Sequence, residues 1–393
     1  MKSEFFIALI PKGPLRTGGV KAKGSYLNTL PYLPGSILRG TLAEWLSLTG
    51  QTQEIIPIVR RTRFGNLFPS CSEQVYSLPF PLTALECKAK GGFLNVPVKE
   101  RDKQGHGVRD TLLISLAYSE LKQRGARFPV PMMLRCRECK GRMDRVSGFY
   151  ARLREGWTKV KPEQAMQTKV ALSRYRRAAQ EEMLYRVIAL RPKGAFIGRI
   201  WLEDETDLQV LKEAVKNMGV GALTTRGFGK AELKEVEPDL PSLKERLEKF
   251  NRRLKEVWRQ LADLVRQVGS QAPEEPQGTY FSVDLLSPAV LLDGNGLPTL
   301  RLELTLGGQR LEPVFFATQP AFVGGWSTAW GLPKPTALGA GMGSVYVFRV
   351  ESSPNDLVPE LERLEAQGVG ERTDEGLGEV LVCHPFHQEV MPI

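Results

Sequence analysis

Histidine is scarce in this chain, with three among 393 residues. Metal-independent RNA cleavage commonly uses a general base and a general acid, often histidine, so the scarcity argues against a nuclease of that kind. None of the three falls in 1–50. No run of 18 apolar residues occurs, so no membrane-spanning helix is expected. Cysteine is sparse and odd in number, at five, which fits a reducing cytoplasm and not a disulfide framework. The opening "MKSEFFIALIPKGPL" alternates like a strand and runs at once into Lys12, Arg16 and glycines, so no signal peptide is expected. No Walker-type loop, Ser-His-Asp set or two-metal carboxylate cluster is visible.

Positive charge is plentiful. Fifty-four Lys plus Arg face 44 Asp plus Glu, giving a net charge of +10 and a pI near 9.3, a surplus suited to nucleic acid or another polyanion. The length exceeds the usual single-domain range, so two domains with an insertion are expected.

The pattern along the chain predicts an α+β protein. Residues 4–10 read as a strand, and "YLPGSILRGTLAEWLSLTG" (32–50) as a helix opened by Pro34 and Gly35 and capped by Ser36. Its apolar side is Ile37, Leu38, Leu42, Trp45, Leu46 and Leu48. Residues 51–165 lack long periodicity and read as an insertion. Strands follow at 168–174, 183–190 and 195–203, the last two joined by "RPKG" as a hairpin. A helix over 207–218, a glycine-rich loop and the strand "GKAELKEVE" complete a β–α–β–β–α–β order, that of a ferredoxin-like (RRM-like) fold. Next comes a long helix with Leu243, Leu247, Phe250, Leu254, Val257, Leu261, Leu264 and Val268 at three- and four-residue steps, a Ser242/Glu245 capping box and a Gly269 stop. The expected layout is a first domain over 1–236 with the insertion at about 51–165, a helix and linker over 237–278, and a second ferredoxin-like domain over 279–393.

Two segments carry a repeat. "GVGALTTRGFGKAEL" (219–233) and "GVGERTDEGLGEVLV" (368–382) share Gly-x-Gly, a spacer bearing arginine, a second Gly-x-Gly and a strand, which points to two equivalent units. Glycines at such a loop supply positive φ, and a chain with few side chains also lets N–H groups approach a phosphate.

"CREC" has the spacing of a zinc knuckle, in which Cys136 and Cys139 take adjacent tetrahedral corners. Cys87 and His106 complete a structural Cys3His site, with Cys71 as substitute fourth ligand. Such a zinc ion would staple an insertion that has little core of its own. "CHPFH" (383–387) reads as incidental.

The paired glycine loops, together with Pro34, Gly35, Ser36, Leu38, Arg39 and Gly40 of the "PGSILRG" turn and helix, resemble the RAMP superfamily of CRISPR-associated proteins. Length, two-unit layout and the Cys motif with "CK…HGVRD…CREC" most resemble the type III-D subunit that caps the crRNA 5′ end. The resemblance implies a non-catalytic subunit of a type III effector complex, active in antiviral defence. Such a subunit holds the crRNA 5′ handle, meets target RNA indirectly, and contacts the large subunit and the first backbone subunit. Phosphates would then meet N–H groups around Gly219, Gly221, Gly227 and Gly229 and the helix start at Gly35 and Ser36, with Arg39, Arg226 and Lys230 nearby. Phe228 and Trp326 are the candidate base-stacking rings. Arg16, Lys21 and Lys23, the run Arg60, Arg61 and Arg63, and the run Arg174, Arg176 and Arg177 are the candidate channel cations.

Two alternatives stay open. The superfamily's repeat-processing endoribonuclease would have to use Tyr26, Tyr32, a lysine or His384, whereas the loop aspartate with which the superfamily's backbone-type subunits cut target RNA would be Asp102 or Asp110, positions where aspartates ordinarily form turns. A general single-stranded RNA-binding protein would show no preference for a handle.

Overall fold

The computed structural model describes residues 3–18, 26–27, 29–173, 175–191, 193–327 and 330–390, without the side chains of 26–27, 180–183 and 326. It is a mixed α+β chain with many small antiparallel sheets, in two compact units. The first unit comprises residues 1–77, 160–239 and 374–376, and the second 78–159, 240–373 and 377–393. Among the described residues no helix is long and apolar enough to cross a membrane.

The first unit is built on four antiparallel strands: β1 (Ser3–Pro11), β2 (Arg63–Ser70), β3 (Ala195–Leu202) and β4 (Ala231–Glu235), in the order β4-β1-β3-β2. Helices α1 (Gly35–Leu48) and α2 (Thr206–Met218) pack together on this sheet. Leu38, Leu42 and Leu46 recur at four-residue steps on α1 and share a core with Leu208, Leu211 and Val215 of α2 and with Ile7, Leu9, Phe196 and Ile200 of the strands. Leu48, expected on the same side, is exposed. Ser36 does not cap α1; it lies inside the first turn, and Pro34 is the N-cap without a side-chain bond.

The predicted hairpin 183–190/195–203 does not form. The strand Ala179–Leu190 pairs instead with Gln164–Leu172, giving a long separate hairpin, and Ala195–Leu202 pairs with β1 and β2. The reason lies in β3 itself: every residue in it is buried, so it takes the centre of the sheet and uses both edges on distant strands. β2 lies inside the segment read as insertion. Its sequence, RFGNLFPS, carries Gly, Asn and Pro, which hide a strand from propensity reasoning.

The second unit has its own four antiparallel strands, β5 (Thr279–Leu285), β6 (Phe315–Ala317), β7 (Val345–Val350) and β8 (Val380–Val382), in the order β6-β7-β5-β8. Two long helices, α3 (Leu243–Gln267) and α4 (Pro354–Gln367), belong to the same unit. The Ser242/Glu245 capping box of α3 is present, and Gly269 follows its end with φ +74°. Leu243, Leu247, Phe250, Leu254 and Val257 are buried, but the buried stripe then turns to Trp258, Ala262 and Val265, leaving Leu264 and Val268 exposed. The helix Leu112–Gln123, within 78–159, buries Leu112, Leu113, Leu116 and Leu121 in the core of this second unit. Arg246 and Glu365 form a buried ion pair at 3.0 Å, joining α3 to α4. Removing one partner of such a pair leaves an uncompensated buried charge.

Candidate nucleic-acid interface and metal centre

The glycine-rich loop after α2 is a tight backbone knot. Gly219, Gly221, Gly227 and Gly229 have φ of +71°, +82°, +84° and +82°, and Leu223 is left-handed at +66° before a single helical turn, Thr224–Arg226. A Cβ at Gly221 or Gly229 would run into the carbonyl oxygens of Arg16 and Val220, so only glycine fits those two positions. Most N–H groups of the loop are used internally. Those of Val220, Ala222, Phe228 and Gly229 donate to Gly229, Arg16, Leu223 and Pro14. Among the described residues, the N–H groups of Gly221, Leu223, Thr224 and Thr225 have no partner. The glycines therefore build the fold of the loop first, and four donors are left over for an anion.

Three cations stand at this knot. The Arg16 carbonyl accepts the Ala222 N–H at 2.9 Å, and the Arg16 side chain is half-buried with a buried Nε that has no partner among the described residues. Burial holds its pKa below the ordinary 12.5. Arg226 is exposed, and its Nη1 donates to the Tyr185 hydroxyl at 2.7 Å. Lys230 is exposed at the start of the outgoing chain, and its carbonyl accepts the Lys12 N–H at 2.8 Å.

Phe228 is not a free platform. Its ring is buried against Val187 and Ala189 of the long hairpin, with the Lys169 ammonium 5.3 Å from its centroid. Tyr185 and Lys169 are partners of the loop that sequence reasoning missed. Their only signal is alternation along the hairpin strands, which gives no hint of which loop they meet.

The other predicted residues are dispersed. Gly35 is buried and donates its N–H to Asn66 Oδ1 at 3.3 Å, Ser36 is half-buried, and Arg39 pairs with Asp374 at 3.0 Å. Thr41, two residues further along α1, donates its hydroxyl to the Gly219 carbonyl at 3.4 Å. Arg176 and Arg177 are exposed at the hairpin tip, beside Tyr175, which is 97% exposed. Six residues of strand at ~3.3 Å each separate that tip from Lys169, so roughly 20 Å lies between the tip arginines and the loop. Lys21, Lys23 and Arg174 lie outside the described residues. So does the side chain of Trp326, whose backbone pairs with Pro333 in the second unit.

The metal-ligating residues do converge. Cys87, His106, Cys136 and Cys139 place their ligand atoms within 4.8 Å of one another. Cys87 Sγ is 3.5 Å from Cys139 Sγ, and Cys136 Sγ is 3.7 Å from His106 Nδ1. A three-stranded sheet does the assembling. Ala84–Cys87 runs between Val108–Asp110 and Met143–Arg145, so Cys87 ends the central strand while His106 and Cys139 precede its two neighbours. Lys140 is left-handed (φ +57°) and donates its N–H to the Cys136 carbonyl, closing the knuckle. The Lys90 N–H, with lesser help from Ala89 and the other thiols, holds the Cys87 thiol below its ordinary 9.0 against the effect of burial. The Gly141 N–H draws the Cys139 thiol down, but the Cys87 thiol, burial and Cys136 outweigh it and push it up. Corners of a tetrahedron with ~2.3 Å metal–sulfur bonds are about 3.8 Å apart, so the spacing fits a four-coordinate ion. Cys71, the proposed substitute, is exposed and outside this group.

The histidines weighed as acid–base groups are buried. His384 is 1% exposed and accepts the Phe386 N–H, and His387 is 2% exposed between Asp110 and Asp284 at 3.0 and 2.7 Å. Tyr32 is half-buried beside Phe68, and Asp102 is exposed on the turn Val98–Lys103.

A mixed α+β chain with two four-stranded antiparallel sheets, a cation-bearing glycine loop and a Cys3His cluster is thus defined. A family model described as "CRISPR-associated protein (Cas_Cmr3)" matches residues 153–385, more than half of the chain. The chain belongs to the Cas_Cmr3 family of CRISPR-associated proteins. No curated protein matches it. Similar solved structures include a chain from the type III-B Cmr-beta complex bound to cognate target RNA. That match is 12% identical with a TM-score of 0.39, over 91% of this chain and 89% of the other. A chain from the Csm3-Csm4 subcomplex of the type III-A interference complex is 14% identical with a TM-score of 0.34, over 90% and 96%.

Proposed function

We propose that the chain is a non-catalytic RNA-binding subunit of a type III CRISPR effector complex, and that it caps the 5′ handle of the crRNA at the corner formed by Arg16 and the loop 219–230. The observation that carries this reading is Arg16. A half-buried guanidinium whose Nε has no partner among the described residues calls for an anion, and it stands against a loop with N–H donors unused among those residues and two exposed cations, Arg226 and Lys230. The CRISPR-associated family makes RNA the natural source of that anion.

In this reading the chain carries two ferredoxin-like domains, one built on the first sheet within about 1–236 and one on the second sheet within 279–393, joined by the helix and linker 237–278. Both strand orders support it, since each sheet has its first and third strands central and its second and fourth at the edges. The type III-D assignment, the large-subunit and first-backbone-subunit partners, the indirect contact with target RNA and the cytoplasmic location belong to the same proposal. Zinc held by Cys87, His106, Cys136 and Cys139 would be structural, because four protein ligands leave no open position. The tip cations Arg176 and Arg177 would meet RNA well away from the handle corner.

The test is a native gel with handle-bearing guide RNA and a scrambled control, run beside a denaturing gel. Tighter, uncut binding of the handle is expected. Arg16→Ala should weaken it roughly 10- to 100-fold, from the ~1.5–3 kcal/mol of a charged hydrogen bond. Cleavage of the RNA, or equal affinity for both RNAs, would overturn the reading.

A further inference from the structure

In the second unit, the segment 78–159 carries a cavity of about 480 Å3. Its walls are the loop Leu94–Val96, Arg101 and Gln104 of the adjoining turn, and the hairpin turn Arg152–Trp157. The walls are held together by backbone. The Trp157 N–H donates to the Asn95 carbonyl at 2.7 Å, and Gly156, at φ +150°, passes so close that a Cβ there would sit 2.8 Å from the same oxygen.

Three guanidinium groups and one carboxylate, Glu155, line the space. Arg152 is tied to Glu389 at 2.8 Å, whereas Arg101 and Arg154 make no ion pair among the described residues. The remaining wall feature is Trp157. It is half-buried and held by ring contacts with Phe93 (5.8 Å, 21° between planes) and Tyr150 (5.8 Å), so it keeps one orientation without a ligand. Two planar cations that make no ion pair among the described residues, beside an indole held by ring contacts, suit a phosphate joined to an aromatic ring. The volume falls in the usual range of ~300–1,000 Å3 for a small-ligand site.

We propose that this cavity is a second, separate nucleotide site, in which Arg101 and Arg154 take a phosphate and Trp157 packs against the base. The phosphate comes either from a free mononucleotide or from one nucleotide of a single-stranded RNA.

The test uses the full chain and titrates AMP by calorimetry, with inorganic phosphate alone as a second probe and a four-nucleotide RNA as competitor. Saturable AMP binding, at least tenfold tighter than phosphate, is expected. The double variant R101A/R154A should lose at least tenfold of that affinity with unchanged circular dichroism, and W157A should bring AMP down to the level of phosphate. Competition by the short RNA supports the site with RNA as its source, and lack of competition supports it with a free nucleotide. Absence of saturable AMP binding, or wild-type affinity in the double variant, overturns it. The readout does not involve the handle, so a failed handle preference leaves this result standing, and the reverse holds too.

Discussion

Burial alone would strip His387 of its proton, but the carboxylates of Asp284 and Asp110 overrule burial and raise its pKa to about 10. For His384, three residues earlier, burial outweighs the more distant pull of Asp284 and lowers its pKa to about 3. The two histidines therefore give stability opposite slopes with pH. For His387 the folded value lies above the ordinary 6.5, so its contribution is complete below 6.5 and is lost as pH rises through about 10. For His384 the folded value lies below 6.5, so its contribution is complete above 6.5 and fades as pH falls toward about 3. Asp284, held below its ordinary 3.8 by His387 despite burial, adds to the acid-side loss. Urea unfolding across pH 5–9.5 should show greatest stability near 6.5. His387→Asn should cost about 3–5 kcal/mol and flatten the alkaline side, because it leaves two buried carboxylates without their cation. An unchanged alkaline slope in that variant would remove His387 as its cause. None of this was legible in the sequence. His387 meets partners 277 and 103 positions away, and "CHPFH" gives no sign of them.

Among the elements, what could be read depended on whether the signal was local. The glycine loop was legible because positive φ writes itself as glycine. The second copy keeps the same geometry, with Gly368, Gly370, Gly376 and Gly378 at positive φ, Arg372 left-handed at +60° where Leu223 stands, and a short turn at Thr373–Glu375. The use of most N–H groups inside the first loop was not legible, since it depends on where Pro14 and Arg16 lie. The metal cluster divides the same way. "CREC" marks two of the candidate ligands, while Cys87 ends a four-residue strand and His106 lies two residues before a three-residue one, both strands too short for periodicity to mark. Because those strands belong to separate stretches of chain, an ion at the cluster would hold the sheet together. Cys136→Ser should release about one zinc per chain and make the segment 78–159 more sensitive to protease, with α1 and β1 unaffected. A purified protein that contains no zinc, measured by atomic emission, would end that claim.

At the level of the whole molecule, the sequence reads 51–165 as an insertion and gives no sign of the core that its helix joins. The helix Leu112–Gln123 shares its apolar residues with α3 and the second sheet, although it leaves the chain between two strands of the first sheet. Position along a chain fixes where an insertion starts, and side-chain complementarity decides where it packs. The net charge of +10 has a similar ambiguity, because it promotes binding to any polyanion and selects none. Salt separates the two contributions. Each neutralised phosphate of a single strand gives a slope of about −0.7 in log K against log salt. If Arg16, Arg226, Lys230 and one tip arginine each meet a phosphate, raising salt from 50 to 200 mM should weaken RNA binding roughly 50-fold. Handle and scrambled RNA share that backbone term, so both should fall together and their ratio should persist. If Arg226, exposed and bonded to the Tyr185 hydroxyl, meets a phosphate and no base edge, Arg226→Ala should reduce the slope by about 0.7 for both RNAs and leave the ratio nearly unchanged. A handle preference that vanishes at 200 mM would instead mean that the preference was electrostatic and that the corner at Arg16 selects no handle.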